Sequence, residues 1–393
     1  MKKKVLSLLM AVVMTFSLAV TANAAEETAQ DLNGDIVILH TNDVHGAIAG
    51  YAKVAALKDA YEARGAYVLL MDAGDFIQGD PTVSTSEGAT AVELMNLAGY
   101  DVVSLGNHEF DYGYQNLKDL EADADFAIVD ANVLYNGRVA FEDNLVFTTP
   151  DGTKIGVFGL DTPETATKAH PAKIQGVTFL AGEDLYDCAQ EQVDALTAEG
   201  CNYVICLGHL GIDDESAGNR SIDLLENVDG IDLFIDGHSH STQDDITAAL
   251  TAASQAGGNE ISVDSSMVNG TVLTSTGTKL ESVGVVTIDG ETGRIDASTV
   301  SAASLTDEDA DVAARAAAIQ KEIDDEYGTV FAKTEVALNG EREPGNRTEE
   351  TNLGDLITDA LVWGAEREGT EVDAAVTNGG GIRASIAAGD ITK

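Results

Sequence analysis

Ile36-Val37-Ile38-Leu39-His40-Thr41-Asn42-Asp43-Val44-His45-Gly46 runs from an unbroken apolar stretch straight into an acid–histidine pair, and that junction sets the reading of the chain. A short β-branched and aliphatic run reads as a strand buried on both faces. Asp43 and His45 are two apart, so on an extended segment leaving that strand both side chains can point the same way. The junction recurs. Gly74-Asp75 follows Tyr67-Val68-Leu69-Leu70-Met71, Gly106-Asn107-His108-Glu109 follows Val102-Val103, Gly208-His209 follows Tyr203-Val204-Ile205-Cys206, and Gly237-His238-Ser239-His240 follows Leu233-Phe234-Ile235. Neutral imidazole and carboxylate are good ligands for divalent cations. Their repetition at strand ends implies a metal-dependent hydrolase.

Between these runs lie helical stretches at Ala52 to Arg64, Thr90 to Ala98, Leu117 to Ala122 and Leu185 to Glu199. Apolar strands alternating with helices predict an α/β core over residues 35–300. Gly270 to Thr276 and Ser282 to Ile288 extend the sheet, with a hairpin turn at Asp289-Gly290. Asp307 to Tyr327 is charged and alanine-rich and predicts an exposed linker helix within residues 301–327. Beyond it, Thr334 to Leu338 reads as a strand, Asn352 to Glu366 as a capped helix, and Ala374 to Thr377 as a strand entering Asn378-Gly379-Gly380-Gly381-Ile382-Arg383. Residues 328–393 are few for an independent core, so this part is expected to dock on the first domain or to be incomplete.

Counting ligands decides between one ion and two. Asp43, His45, Asp75, Asn107, His209, His238 and His240 exceed the four ligands of a usual zinc site. Two ions sharing the Asp75 carboxylate accommodate them all, with room for a water activated against a phosphoryl group. Mixed nitrogen and oxygen donors suit zinc, manganese, iron or cobalt. His108 faces the scissile phosphate rather than an ion, with Asp111 three residues on as its orienting carboxylate. Glu109 anchors the loop, and His170 in Lys168-Ala169-His170-Pro171 reads as a surface residue.

The chain carries 67 acidic and 22 basic residues and a formal charge of −45, which argues against nucleic acid polymers and anionic membranes as partners. A small anionic substrate is still admitted, because bound cations reverse the local field. Lys2-Lys3-Lys4, the apolar stretch Val5 to Val20 and Ala22-Asn23-Ala24 form the pattern of a secretory signal peptide cut after Ala24. No later run is long and apolar enough to span a bilayer. Three cysteines do not make a disulfide framework; Cys188 and Cys201 could pair, or all of Cys188, Cys201 and Cys206 stay free.

These motifs resemble those of calcineurin-like metallophosphatases, and Leu39-His40-Thr41-Asn42-Asp43-Val44-His45-Gly46 resembles the 5'-nucleotidase family, which includes bacterial UDP-sugar hydrolases and 2',3'-cyclic phosphodiesterases. The resemblance covers residues 35 to 393. It implies a four-layer α/β/β/α domain binding two metals, followed by a C-terminal α+β domain that supplies the substrate pocket. One ion would be held by Asp43, His45, Asp75 and His240, the other by Asp75, Asn107, His209 and His238, with His108 and Asp111 as the catalytic pair. Some relatives have an amide where this chain has His240.

Arg383 follows three glycines that let backbone approach a ligand, and Arg347 precedes the capped helix; both are candidate anion clamps. The resemblance assigns their loops to the phosphate and ribose sides of a nucleotide, with Asn378, Gly380 and Gly381 contributing. It also implies an aromatic base clamp beyond Lys393, so the C-terminal domain is expected to be truncated and base recognition lost. The expected activity is release of phosphate from nucleoside 5'-monophosphates by a secreted or surface-attached enzyme. Two other readings stand beside it: a cyclic-nucleotide phosphodiesterase or UDP-sugar pyrophosphatase on the same centre, and an exported acidic metal-binding protein without turnover.

Overall fold

The computed structural model describes residues 31–255, 261–262 and 266–393. The expected signal peptide lies outside them. Two compact units are present, one running up to Ala316 and the other spanning Ala317–Lys393.

The first unit is built on two sheets. In the first sheet Ile36–Thr41 is central, parallel to Tyr67–Asp72 and antiparallel to Ser282–Ile288. Val102–Val103 and Ala127–Ile128 continue it on one side, and Ile295–Ser301 closes the other through the hairpin at Asp289-Gly290. Parallel neighbours need a crossover, and Tyr51–Glu62 provides the one between the first two strands. In the second sheet Tyr203–His209 lies between Lys154–Asp161 and Leu233–Ile235, all parallel, and Glu183–Glu199 is the crossover helix.

Period two decides the layering. Ile36, Ile38, Leu69 and Met71 of the first sheet form one buried cluster with Ile155, Val157, Ile205, Leu207, Leu233 and Ile235 of the second, so the sheets pack face to face. The alternate residues Phe158, Leu160, Val204, Cys206 and Phe234 turn outward onto Leu185, Ala189, Val193 and Leu196 of the crossover helix. Tyr51–Glu62 packs on the first sheet on its other side, with Ala89–Ala98 against that helix. The result is the expected order of helix, sheet, sheet and helix.

Some elements differ from expectation. Asn144–Thr148 adds an antiparallel edge strand, Gln243–Gln255 is a further helix, and Val133–Tyr135, Arg138–Val139 and Val177–Phe179 form a small third sheet. Helix Ala310–Tyr327 is not wholly exposed: Val312 and Ala316, four apart, are buried, and Arg315 forks onto Glu93 at 2.6 and 2.9 Å. In the second unit, the strand expected over Thr334 to Leu338 is Ala332–Thr334, paired with Gly389–Ile391, while Leu338 makes one isolated bridge to Ile386. Residues 374–377 are not a strand, and Val376 is 91% exposed. A short apolar run forms a strand only where a neighbour accepts its ladder, and none pairs with it among the described residues. Helix Asn352–Arg367 is capped by Thr351, whose hydroxyl accepts from Gly354 N at 3.1 Å.

Cys188, Cys201 and Cys206 are free thiols, with Cys188 and Cys206 buried. No described helix is long and apolar enough to cross a membrane.

Candidate metal centre

The first unit gathers Asp43, His45, Asp75, His209 and His240 at the carboxyl ends of its parallel strands, in two overlapping groups, Asp43–His45–His240 and Asp43–Asp75–His209. Asp43 Oδ2 accepts from Asn42 Nδ2 at 2.7 Å and from His238 N at 3.1 Å, which turns Oδ1 inward. That inner oxygen lies 3.3 Å from His240 Nε2 and 3.8 Å from His45 Nε2. Asp75 accepts the amide of His108 on Oδ1 at 2.9 Å and places Oδ2 3.2 Å from His209 Nε2.

Backbone carbonyls decide which histidine nitrogen faces the centre. A carbonyl only accepts, so His209 Nδ1 donates to Ala73 O at 2.6 Å and His45 Nδ1 donates to Gln78 O at 3.0 Å. Each ring thereby directs Nε2 at the centre, where its lone pair would meet a cation. Asp43 Oδ1 and His209 Nε2 are buried with no hydrogen-bond partner among the described residues. Two carboxylates and three imidazoles converging around unsatisfied donor atoms fit divalent cations.

The backbone is unusual here. Asp43, His45, Asp75, His238 and His240 all have positive φ, at 49°, 47°, 64°, 74° and 55°. Such residues cost about 1–3 kcal/mol each and cluster at functional sites. In exchange the chain leaves each strand in a sharp turn that throws the side chain inward. Glycine is required alongside: a Cβ at Gly106 would collide with the Asp75 carboxylate and sit 2.7 Å from His209 Nε2.

Support comes from two buried neighbours. Glu109, fully buried, accepts from the amides of Asp75 (2.8 Å), Phe76 (2.9 Å) and Gly106 (2.7 Å), locking the Asp75 turn to the His108 turn. Burial pushes its carboxyl up to about 7. Asn42 ties Asp43 to the opposite sheet, accepting from Thr276 N at 2.9 Å and donating to Gly277 O at 2.8 Å. Burial works to raise both central carboxyls, yet His240 and His209 hold Asp43 below its ordinary range and His209 and His108 hold Asp75 well below it. Burial lowers His45 to about 4, keeping it neutral at pH 7.

His108 and Asp111 form a separate pair. Nδ1 and Asp111 Oδ2 are 2.6 Å apart, and the ring lies 5.4 Å from that of His45. Asn107 is buried on the same turn, immediately before His108. The His238 ring is 5.2 Å from that of His209, with Nε2 directed to Glu164 at 3.0 Å. Glu164 had no motif to announce it. Its one signal is position, just past the strand Lys154–Asp161 in the place where other strands carry ligands. His170 is exposed, as expected.

In the second unit, the Arg347 guanidinium and the Asn378 amide both border Gly380: a Cβ there would lie 3.4 Å from Arg347 Nη2 and 3.2 Å from Asn378 Nδ2. A Cβ at Gly381 would lie 3.4 Å from Asn378 Oδ1, and Arg383 is exposed two residues further on.

Comparison with known proteins follows the same division. Residues 36–242 match the calcineurin-like phosphoesterase family, and residues 330–393 match the 5'-nucleotidase C-terminal domain. The chain is 31% identical to the trifunctional nucleotide phosphoesterase protein YfkN of Bacillus subtilis, over 91% of this chain and 25% of that protein. It is 30% identical to the snake venom 5'-nucleotidase of Gloydius brevicauda, over 90% of this chain and 63% of that protein. The chain thus spans from a quarter to under two thirds of these relatives. Among solved structures, the 5'-nucleotidase precursor from Thermus thermophilus superposes with a TM-score of 0.71 at 28% identity, covering 91% of this chain and 72% of the other.

Proposed function

This chain belongs to the calcineurin-like phosphoesterase family, and on that premise we propose that it hydrolyses nucleoside 5'-monophosphates to nucleoside and phosphate. The observation that carries the reading is the convergence of Asp43 Oδ1, Asp75 Oδ2 and the inward nitrogens of His45, His209 and His240 beside the His108–Asp111 pair. Asp43, His45, Asp75 and His240 would hold one divalent cation, and Asp75, Asn107, His209 and His238 a second. Zinc, manganese, iron or cobalt bound there would lower the pKa of water and offset charge on the phosphoryl oxygens.

The chain's own residues do the rest. Asp111 accepts from His108 Nδ1 and so fixes the ring with Nε2 turned away from it, in position to donate to a phosphoryl or leaving oxygen. In the second unit, Arg347, Asn378, Gly380, Gly381 and Arg383 supply oxygen-binding groups for the nucleotide; the placement of Arg347 and Asn378 beside Gly380 supports this. The domains are taken as 35–300 and 328–393 with the linker 301–327, and the Lys2 to Ala24 pattern supports export.

One alternative has a specific observation behind it. The Bacillus subtilis relative is named trifunctional, so cyclic nucleotides and UDP-sugars belong in the substrate panel. The test measures products from adenosine monophosphate, 2',3'-cyclic AMP and UDP-glucose, with wild type and His108→Ala. Phosphate and adenosine from the monophosphate, lost in the variant while metal is retained, is the expected result. Turnover unchanged by His108→Ala, or no hydrolysis of any nucleotide, would sink the reading.

A further inference from the structure

Glu164 is a half-buried carboxylate that no catalytic motif contains, yet it sits on the imidazole of His238. It lies at the end of strand Lys154–Asp161, where the chain enters the single helical turn Thr165–Lys168. Oε2 takes His238 Nε2 at 3.0 Å and Lys168 Nζ at 2.8 Å, and Oε1 accepts from Ser216 Oγ at 2.8 Å. Two segments distant in sequence, at Ser216 and His238, therefore meet on one side chain.

The chemistry of that contact is directional. A carboxylate accepts, so the proton of His238 is drawn to Nε2 and the lone pair is left on Nδ1. His45 and His209 have the opposite arrangement, with Nδ1 spent on backbone carbonyls and Nε2 facing the centre. Lys168 adds a second consideration, since its Nζ stands 3.4 Å from His238 Nε2. An ammonium only donates; without Glu164 it would offer its proton to Nε2, and the imidazole proton would then move to Nδ1, where it blocks ligation.

We propose that Glu164 is a positioning residue that fixes His238 as the Nε2–H tautomer, so that Nδ1 is presented to the second cation, and that it also shields the ring from Lys168. The inference rests on the two-cation reading above and adds to it a residue outside the ligand set.

The experiment uses the full chain stripped of metal and titrated with Mn²⁺ by calorimetry, in wild type, Glu164→Ala, Glu164→Gln and the double variant Glu164→Ala/Lys168→Ala. Outer-shell partners typically set metal affinity by about 10- to 100-fold. Glu164→Ala should weaken the second Mn²⁺ by about that factor while the first binds as before. Glu164→Gln, whose amide oxygen still accepts from Nε2–H, should lose less than about tenfold, and removing Lys168 as well should recover part of the loss. Long-range ¹⁵N–¹H spectra of the metal-free protein give a readout independent of any ion: His238 should be the Nε2–H tautomer in wild type and Glu164→Gln, and shift toward Nδ1–H in Glu164→Ala. Unchanged second-ion affinity in Glu164→Ala, or an unchanged tautomer, overturns the role of Glu164 alone. A wild type that binds fewer than two ions overturns the two-cation reading with it.

Discussion

The two walls of the candidate centre are held by different means. Asp43, Asp75 and His209 are at most 2% exposed, and their partners are backbone amides, a backbone carbonyl and the fully buried or nearly buried side chains of Glu109 and Asn42. His108, Asp111 and His240 have side chains 20%, 27% and 22% exposed, and His108 is oriented by a side chain instead. The inner wall cannot rearrange without breaking strand-end turns, whereas the outer wall turns on rotatable groups. This predicts that inner substitutions abolish ion binding, whereas those at His108 and Asp111, which hold no ion, reduce turnover with the ions in place.

The largest effect should come from Asp75→Asn, which keeps shape and tolerates the left-handed backbone but removes the shared charge. Metal content should fall below that of the wild type and kcat by roughly four orders of magnitude or more, since both ions depend on this group; elemental analysis beside a phosphate-release assay checks it. Retained metal with low kcat would erase the contrast between the walls. His108→Ala should keep full metal content and lose about 10²- to 10⁴-fold in kcat. Asp111→Asn sharpens the point: a hydrogen bond to a charged group such as the Asp111 carboxylate is worth about 1.5–3 kcal/mol, so kcat should drop about 10- to 100-fold with KM little changed.

The smallest effect concerns stability. His40 is fully buried, its Nδ1 has no hydrogen-bond partner among the described residues, and burial lowers its pKa to about 3. Between about pH 6.5 and 3 the unfolded chain binds a proton here that the folded chain refuses. Stability should therefore be lost as pH falls from about 6.5, with a slope approaching about 1.4 kcal/mol per pH unit from this residue. Urea unfolding of wild type and His40→Gln at about pH 7 and about pH 5 would show the variant less pH-dependent.

The strands were legible because apolar runs buried on both faces are unbroken: Ser282 to Ile288 is a strand to the residue, and Ile36, Tyr67, Tyr203 and Leu233 all begin one. Asp43, His45, Asp75, His209 and His240, which converge in the first unit, were legible because histidine and aspartate follow those runs directly. What escaped lacked either signal. Asn144–Thr148 is a half-exposed edge strand, so its pattern is mixed. Residues 374–377 err the other way: they have the pattern, but no strand among the described residues pairs with them. Glu164 is an ordinary glutamate, and only the approach of His238, 74 positions away, gives it a role. Tertiary proximity of that kind is not encoded in any local spacing.

The left-handed turns at Asp43, His45, Asp75, His238 and His240 also limit what could ever replace these residues. Aspartate, asparagine, histidine and glycine accept such a conformation far more readily than valine, isoleucine or threonine. The alphabet open to this centre is thus narrowed by the main chain before any coordination chemistry is consulted. A saturation library at those five codons should return that small set among the folded clones.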